Sequence, residues 1–160
     1  MSKIKLFDQY VGNSEKIAIK RVFDSHFWAS GAGVANVEKF EKKFSNYIKC
    51  KNSIAVNSGT SALNLALSMF DIKNKEVLLP SLSFVSTAQA LVLNGGKPIF
   101  VDIDPKTLCI DPDQIEKLIT KKSIMILPVH FAGMRANLKR IKKITTKNKI
   151  HLIEDAAHAT

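Results

Sequence analysis

The chain has 160 residues, 46% of them apolar and 24% charged, a composition typical of a globular protein and not of a disordered or fibrous one. No apolar run approaches the ~20 residues of a membrane span, and the start MSKIKLFDQY lacks a signal-peptide core, so we expect a cytoplasmic protein. The net charge of +10 comes from scattered lysines without any nucleic-acid-binding motif or Cys/His metal spacing, so solvated helix faces are the preferred interpretation.

The first fifty residues differ from the rest of the chain. They predict a helix near Ser14–Ser25, then the glycine- and alanine-rich loop FWASGAGVA, then a second helix over NVEKFEKKFSNYI with Asn36 as its N-cap. Apolar residues recur at helical spacing in the second helix, and we expect that face to pack against a larger body. The residues of the face are Val37, Phe40, Phe44 and Ile48.

From Ser53 onward, short apolar strands alternate with helices. The predicted strands are SIAVN, EVLLP, PIFVDI, IMILPV and IHLIED. The predicted helices between them are TSALNLALSMF, FVSTAQALVLN, DPDQIEKLIT and ANLKRIKKITTK, the third with Asp111 as N-cap. Apolar strands separated by helices of about ten residues predict an α/β fold with a mainly parallel sheet covered on both faces.

Polar residues follow the strands at the edge where ligands bind in such sheets, beyond the carboxyl ends. They are Asn57 to Thr60, Ser81 to Ser83, Asp102, His130, and Glu154 with Asp155. The first group, in NSGTSALNLAL, lies where a strand meets a helix, and free N–H groups at a helix N-terminus suit a phosphate. Ordinary helix capping is an equally good interpretation of this motif by itself.

Three further residues fit a planar, phosphorylated ligand at that edge. Phe84 opens a helix and can stack on a ring, although core packing is the alternative. Asp155 follows an apolar strand, where a buried carboxylate needs a cationic partner such as a protonated ring nitrogen. Pyridoxal 5'-phosphate (PLP) requires a phosphate site, a stacking face and such an acid. His158 is placed to reach the ring hydroxyl, with a purely structural histidine as the alternative.

Taken in order, four stretches closely resemble the nucleotide-sugar aminotransferases of the DegT/StrS group, which are PLP enzymes of fold type I. They are NSGTSALNLAL, VLLPSLSFVSTAQALVLNGGKPIFVDIDPKTLCIDP, ILPVHFAGMRANL and LIEDAAHA. The cofactor-binding residues that the resemblance implies are Gly59, Thr60, Ser61, Phe84, Asp155 and His158. The first three would hold the phosphate and the aromatic would stack on the ring. The aspartate would bind the pyridine nitrogen, and the histidine would lie near the ring hydroxyl.

The resemblance also implies that the chain is the N-terminal part of a longer enzyme. Residues 1–50 would be a helical segment, residues 51–160 the first part of the PLP-binding large domain, and the small C-terminal domain would be absent. The family's Schiff-base lysine lies beyond EDAAHA, and no lysine here matches its motif, so no catalytic residue is assigned and this piece is expected to be inactive. SIAVN would lie apart from the other four strands, because its partners come later in the chain.

The parent reaction implied by the resemblance converts a keto nucleotide-sugar to an amino sugar for surface polysaccharides or related products. The donor is an amino acid, expected to be glutamate, and the family works as a homodimer. A PLP-dependent sugar dehydratase of the same fold, in which histidine replaces the lysine, is the nearest alternative. Two others remain: a non-catalytic partner of a full-length homologue, and an unrelated α/β phosphate-binding protein.

Overall fold

Residues 9–27 and 35–159 are described in a computed structural model of the chain. Their contacts divide them into two compact units, one ending at Ala55 and the other beginning at Val56. The glycine-rich loop expected between the first two helices lies almost wholly outside the described ranges. Within those ranges no helix has the length and apolarity needed to cross a membrane.

The N-terminal unit contains two helices, α1 (Asn13–Asp24) and α2 (Ala35–Ile48). The prediction of Asn36 as N-cap is wrong, because α2 already includes Ala35 and Asn36 therefore lies in its first turn. The predicted apolar face of α2 is only partly covered. Phe40 and Phe44 stack with ring centroids 5.7 Å apart, and within this unit Phe40 remains 56% exposed.

The second unit is a parallel sheet with helices on both faces, which confirms the predicted α/β class. Its strands are β1 (Glu76–Pro80), β2 (Lys97–Val101), β3 (Ser123–Ile126) and β4 (His151–Leu152), in the order β2-β1-β3-β4 with every pair parallel. Its helices are α3 (Gly59–Ser68), α4 (Val85–Leu93), α5 (Pro112–Leu118) and α6 (Leu138–Asn148), with a 3₁₀ turn at Phe131–Gly133.

The strands are continuously apolar because a hydrophobic core covers each face of the sheet. Val77 and Leu79 of β1 join one cluster with Leu67 of α3, whereas Leu78 joins the other cluster with Ile141 of α6. All five side chains are at most 1% exposed. A strand covered on both faces has no solvent side, so its sequence is continuously apolar instead of alternating.

Helix caps and charges agree in part with the sequence. Asp111 caps α5 as predicted, its carboxylate accepting a hydrogen bond from Asp113 N–H at 2.9 Å. Asn137, which the sequence analysis did not single out, caps α6 by accepting from Arg140 N–H at 3.2 Å. A hydrogen bond and charge attraction from the Arg140 guanidinium lower the pKa of Asp113 and link α5 to α6. Lys142 is exposed on the outer face of α6, as the solvated-face interpretation expects.

The prediction of a strand at SIAVN is wrong for this structure. Residues 53–57 have no strand conformation and no ladder with the four-stranded sheet. Instead, Ser53 Oγ donates to the Glu41 carbonyl at 2.6 Å, and Ala55 N–H donates to the Glu41 carboxylate at 2.8 Å. A strand needs a neighbour for its backbone groups, and without one Ile54 stays 72% exposed.

Two glycines of the second unit are predicted to differ in their tolerance of a methyl group. A Cβ at Gly96 would lie 3.0 Å from Leu91 Cγ and 3.2 Å from Ile72 Cδ1, inside the core, whereas one at Gly59 meets nothing within 4 Å. We expect Gly96→Ala to lower the free energy of unfolding by about 1–3 kcal/mol through overpacking. Gly59→Ala, the matched control, should be neutral or slightly stabilising, because alanine favours the helix. Urea denaturation of both variants measures this, and equal stabilities would contradict it.

Candidate functional site

The sheet extends beyond its last regular strand and positions Asp155. Val129 and Asp155 form an isolated parallel bridge past the ends of β3 and β4. Asp155 N–H donates to the Pro128 carbonyl at 2.9 Å, and His130 N–H donates to the Asp155 carbonyl at 3.1 Å. Its backbone is therefore held on both sides at the carboxyl edge of the sheet, where the sequence placed it.

Neutral donors bind the Asp155 carboxylate, which is only 8% exposed. Oδ2 accepts from the Thr87 hydroxyl at 2.9 Å, and Oδ1 accepts from Ala157 N–H at 3.2 Å. Because Thr87 gives its proton to Asp155, the Ser83 hydroxyl must donate to Thr87 across their 2.7 Å contact. No cation pairs with Asp155 among the described residues. The cationic partner expected from the sequence is thus not one of these side chains, and the carboxylate keeps lone pairs for a bound cation.

The N-terminus of α3 is open at its first two residues. The backbone N–H groups of Gly59 and Thr60, and the Thr60 hydroxyl, have no hydrogen-bond partner in the described part of the chain. Ser61 differs, since its N–H donates to the N-cap Ser58 Oγ at 3.1 Å and its hydroxyl to Asn57 Oδ1 at 2.6 Å. Gly59 and Thr60 are therefore free to bind an anion, while Ser61 serves the helix cap in this conformation.

A cavity of about 310 Å³ brings the helix N-terminus and the aspartate together. Gly59 and Leu63 line one side, and Ile153 to Ala157, including Asp155, line the other. A larger cavity of about 720 Å³ lies against α1 in the N-terminal unit, but its lining contains none of the predicted site residues. The smaller cavity is the candidate site, because free N–H donors and a buried carboxylate meet there.

His158, Phe84 and Asp102 stand outside that lining. His158 is exposed, accepts Ala132 N–H at Nδ1 over 3.1 Å, and meets the Phe131 ring edge-on. Phe84 precedes α4 as its N-cap, three residues before Thr87, and its ring is 74% exposed, which excludes the core-packing alternative in this structure. The backbone carbonyl of Asp102 accepts a hydrogen bond from Asp111 N–H.

Sequence reasoning missed the part played by Thr87 and did not explain His130. Thr87 is 68 positions from its partner Asp155 and has no local motif, so only the fold reveals the contact. His130 is 5% exposed, accepts Ala136 N–H at Nδ1 over 3.1 Å, and meets Glu154 Oε2 at 3.1 Å through Nε2. The sequence analysis placed His130 only among the polar residues that follow the strands, and the two hydrogen bonds of its buried ring give it a structural role.

The residues in and beside the cavity fit PLP. The free N–H groups of Gly59 and Thr60 and the Thr60 hydroxyl suit its phosphate, and a buried carboxylate without a cation among the described residues suits a protonated pyridine nitrogen. The neutral Thr87 hydroxyl and the Ala157 N–H bind the carboxylate, and neither compensates its charge. The fold and the site together therefore define a class, the PLP-dependent transferases of fold type I, of which this chain contains part.

Comparison with known proteins identifies the family. The sequence profile of the DegT/DnrJ/EryC1/StrS aminotransferase family matches residues 9–160, and the chain belongs to that family. A 3-oxo-glucose-6-phosphate:glutamate aminotransferase of Bacillus subtilis is 42% identical over 121 residues, which are 75% of this chain and 27% of the relative. The GDP-perosamine synthase of Caulobacter vibrioides is 39% identical over 133 residues, 82% of this chain and 36% of the relative.

A solved structure that contains PLP has the same fold. A GDP-4-keto-6-deoxymannose-3-dehydratase with a trapped PLP-glutamate geminal diamine is 28% identical with a TM-score of 0.90. The match covers 99% of this chain and 42% of that one. This chain thus spans well under half the length of the relatives that it matches, and members of the family bind PLP.

Removal of the Thr87 hydroxyl should destabilise the protein through Asp155. We expect Thr87→Val to lower the free energy of unfolding by about 1–3 kcal/mol, because a buried carboxylate loses a donor. Thr87→Ser, which keeps the hydroxyl, should recover most of that loss. Thr145→Val is the matched control, since this threonine is also buried, at 7% exposure against 0% for Thr87, but donates to the Lys142 carbonyl of its own helix at 3.0 Å. Urea denaturation gives the three values, and equal losses for both valine variants would contradict the role of Thr87.

Proposed function

We propose that the protein is the N-terminal, cofactor-binding part of a PLP-dependent aminotransferase that converts a keto nucleotide-sugar to an amino sugar, with glutamate as donor. The observation that carries the proposal is the shared cavity, in which the open N-terminus of α3 faces the buried Asp155. The names of the two relatives support the substrate class and the donor, since one is a glutamate aminotransferase of a keto sugar phosphate and the other makes a GDP-linked sugar.

In this proposal the described residues bind and orient the cofactor. Gly59 and Thr60 hold the phosphate through their free N–H groups, and the Thr60 hydroxyl adds a further hydrogen bond. Ser61 joins them only if its hydroxyl rotates away from Asn57 Oδ1. PLP supplies an electron sink when its ring nitrogen is protonated. Asp155 keeps that proton in place because its charge is buried and its side chain is fixed by Thr87.

Phe84 and His158 complete the proposed site from its margin. Phe84 is the N-cap of α4, three residues before Thr87, and its side chain is exposed. An exposed aromatic ring so close to Thr87 supports a stacking role against the cofactor. His158 has its Nδ1 bound to Ala132 N–H, which leaves Nε2 to donate to the ring oxygen. Both residues are placed by the elements that hold Asp155.

The proposal assigns cofactor binding, and not amino transfer, to these 160 residues. No lysine is found along the cavity within the described ranges, so the amine for the Schiff base is proposed to come from elsewhere in the working enzyme. Residues 51–160 would be the first part of the PLP-binding large domain. We propose that the enzyme is cytoplasmic and a homodimer. Exposed apolar residues at the C-terminal ends of α3 and α4 support the dimer, since Met69 just after α3 is 80% exposed and Leu93 of α4 is 70% exposed.

A sugar dehydratase is the second candidate. The observation that favours it is the solved dehydratase, which matches 99% of this chain with a TM-score of 0.90. Both reactions use the same cofactor-binding residues, so the described site fits either.

The reaction itself is tested with the complete enzyme of which these residues are proposed to be part, isolated from its host and supplied with PLP, glutamate and a GDP-linked 4-keto-6-deoxy sugar. We expect an amino sugar nucleotide and one 2-oxoglutarate for each sugar converted, because the donor gives its nitrogen to the keto carbon. Mass spectrometry of the sugar and a dehydrogenase assay for 2-oxoglutarate measure both products. A deoxygenated sugar without an added nitrogen would favour the dehydratase, and no turnover of any keto nucleotide-sugar would contradict the proposal.

Cofactor affinity tests the site separately from the reaction. Asp155→Asn should weaken PLP binding by about tenfold or more, since one charged hydrogen bond is worth at least 1.4 kcal/mol. Gly59→Ala should also weaken it, because a methyl group that meets no protein atom occupies space in the cavity. Asp102→Asn is the matched control, being an exposed aspartate after the neighbouring strand β2. Titration by PLP absorbance measures the three dissociation constants, and an unchanged value for Asp155→Asn would exclude the assigned role.

A further inference from the structure

Two histidines beside Asp155 accept hydrogen bonds from the backbone of one short loop. Ala132 N–H donates to Nδ1 of His158 at 3.1 Å, and Ala136 N–H donates to Nδ1 of His130 at 3.1 Å. The two donors are four residues apart, and both histidines are close to Asp155 in the fold or in the sequence, since His130 N–H binds the Asp155 carbonyl and His158 follows Asp155 by three residues. The loop thus contacts both rings at the same nitrogen.

A backbone N–H can only donate, so each Nδ1 must hold a lone pair. A neutral imidazole has one protonated nitrogen, and the proton of both rings therefore lies on Nε2. In His130 that proton is directed to Glu154 Oε2, 3.1 Å away, and the buried ring is fully bonded. In His158 the Nε2–H has no partner among the described residues, and the ring is exposed. His158 therefore presents a donor that no described residue accepts.

The conformation of the turn explains how Ala132 N–H is aimed at His158. Ala132 has φ 51° and ψ 29°, a left-handed conformation that costs energy for any residue with a Cβ. Gly133 follows with φ 81°, and a Cβ there would lie 3.3 Å from the His158 carbonyl. The Phe131 ring meets the His158 ring edge-on, with centroids 6.0 Å apart. Each residue of the turn thus lies against His158, and these contacts stabilise the left-handed conformation of Ala132.

We propose that the turn Phe131–Gly133 is a positioning element that fixes His158 in the Nε2–H form, so that the histidine offers a bound ligand a hydrogen-bond donor and no base. The inference rests on the proposed function in one respect, namely that the acceptor is the ring oxygen of PLP. Ala132 acts through its backbone and touches no cofactor atom. His158 cannot take a proton at Nε2 while Nδ1 remains bound to Ala132, so it orients the cofactor and does not move its protons.

The test is ¹⁵N NMR of the protein labelled at histidine, recorded without PLP at a pH where imidazole is neutral. We expect a pyrrole-type Nε2 and a pyridine-type Nδ1 for both His130 and His158. A mixture of tautomers at His158, as in free imidazole, would overturn the inference whatever the protein does with PLP.

Two variants separate the turn from general folding. Gly133→Ala should displace the turn and give mixed tautomers at His158, while His130, bound to Ala136, keeps its Nε2–H form. Ala132→Gly is the control, because it keeps the N–H, permits the left-handed backbone and should leave both histidines unchanged. An unchanged His158 in a folded Gly133→Ala protein would contradict the role of the turn. If that variant does not fold, the spectrum of the unaltered protein still decides.

Addition of PLP to the same sample distinguishes this inference from the proposed function. A fixed tautomer whose Nε2 resonance shifts with PLP supports both. A fixed tautomer whose Nε2 resonance does not change on addition of PLP supports the positioning turn and contradicts the contact of His158 with the cofactor. Mixed tautomers together with Asp155-dependent PLP binding would overturn the turn's role and leave the proposed function standing.

Discussion

The pairing of β3 with β4 is the constraint on which the site depends. It continues past the regular strands through two backbone hydrogen bonds, from Asp155 N–H to Pro128 and from His130 N–H to Asp155. Because both bonds are to main-chain atoms, the aspartate is fixed by the sheet and not by a flexible loop. Its carboxylate is then oriented by the Thr87 hydroxyl, from a helix of another β-α unit, and by the Ala157 N–H.

The charge at the site is left uncompensated in this part of the molecule. An isolated buried carboxylate is unfavourable, and here neutral hydroxyl and amide donors reduce the cost without cancelling the charge. The open helix N-terminus across the same cavity has the opposite polarity, with free N–H groups and a positive dipole end. A ligand that is cationic at one end and anionic at the other satisfies both, which is the charge pattern of PLP protonated at its ring nitrogen. Membership of the DegT/DnrJ/EryC1/StrS family agrees with this electrostatic argument.

Local sequence signals correctly predicted the N-cap Asp111, the buried strand EVLLP and the polar turn at Gly59. Each is indicated by residues of its own segment: a capping side chain, a continuous apolar run, or a glycine beside hydroxyl residues. SIAVN is also an apolar run, but a strand requires a partner as well, and this segment pairs with none of the four strands of the sheet. For α2 as well, the spacing of the apolar residues shows which of them share a face and does not show what covers that face.

The sequence by itself determined the α/β class, the order of the helices and the four paired strands, and the presence of an acid and a polar helix N-terminus at one edge of the sheet. Periodicity, caps and apolar runs are local properties, and they are sufficient for those conclusions. Only the tertiary structure decided which groups meet: Thr87 with Asp155, Glu154 with His130, and Ala132 with His158. These contacts join residues that are 24 to 68 positions apart, and hydrogen-bond geometry over such separations is set by the packing of the sheet and helices.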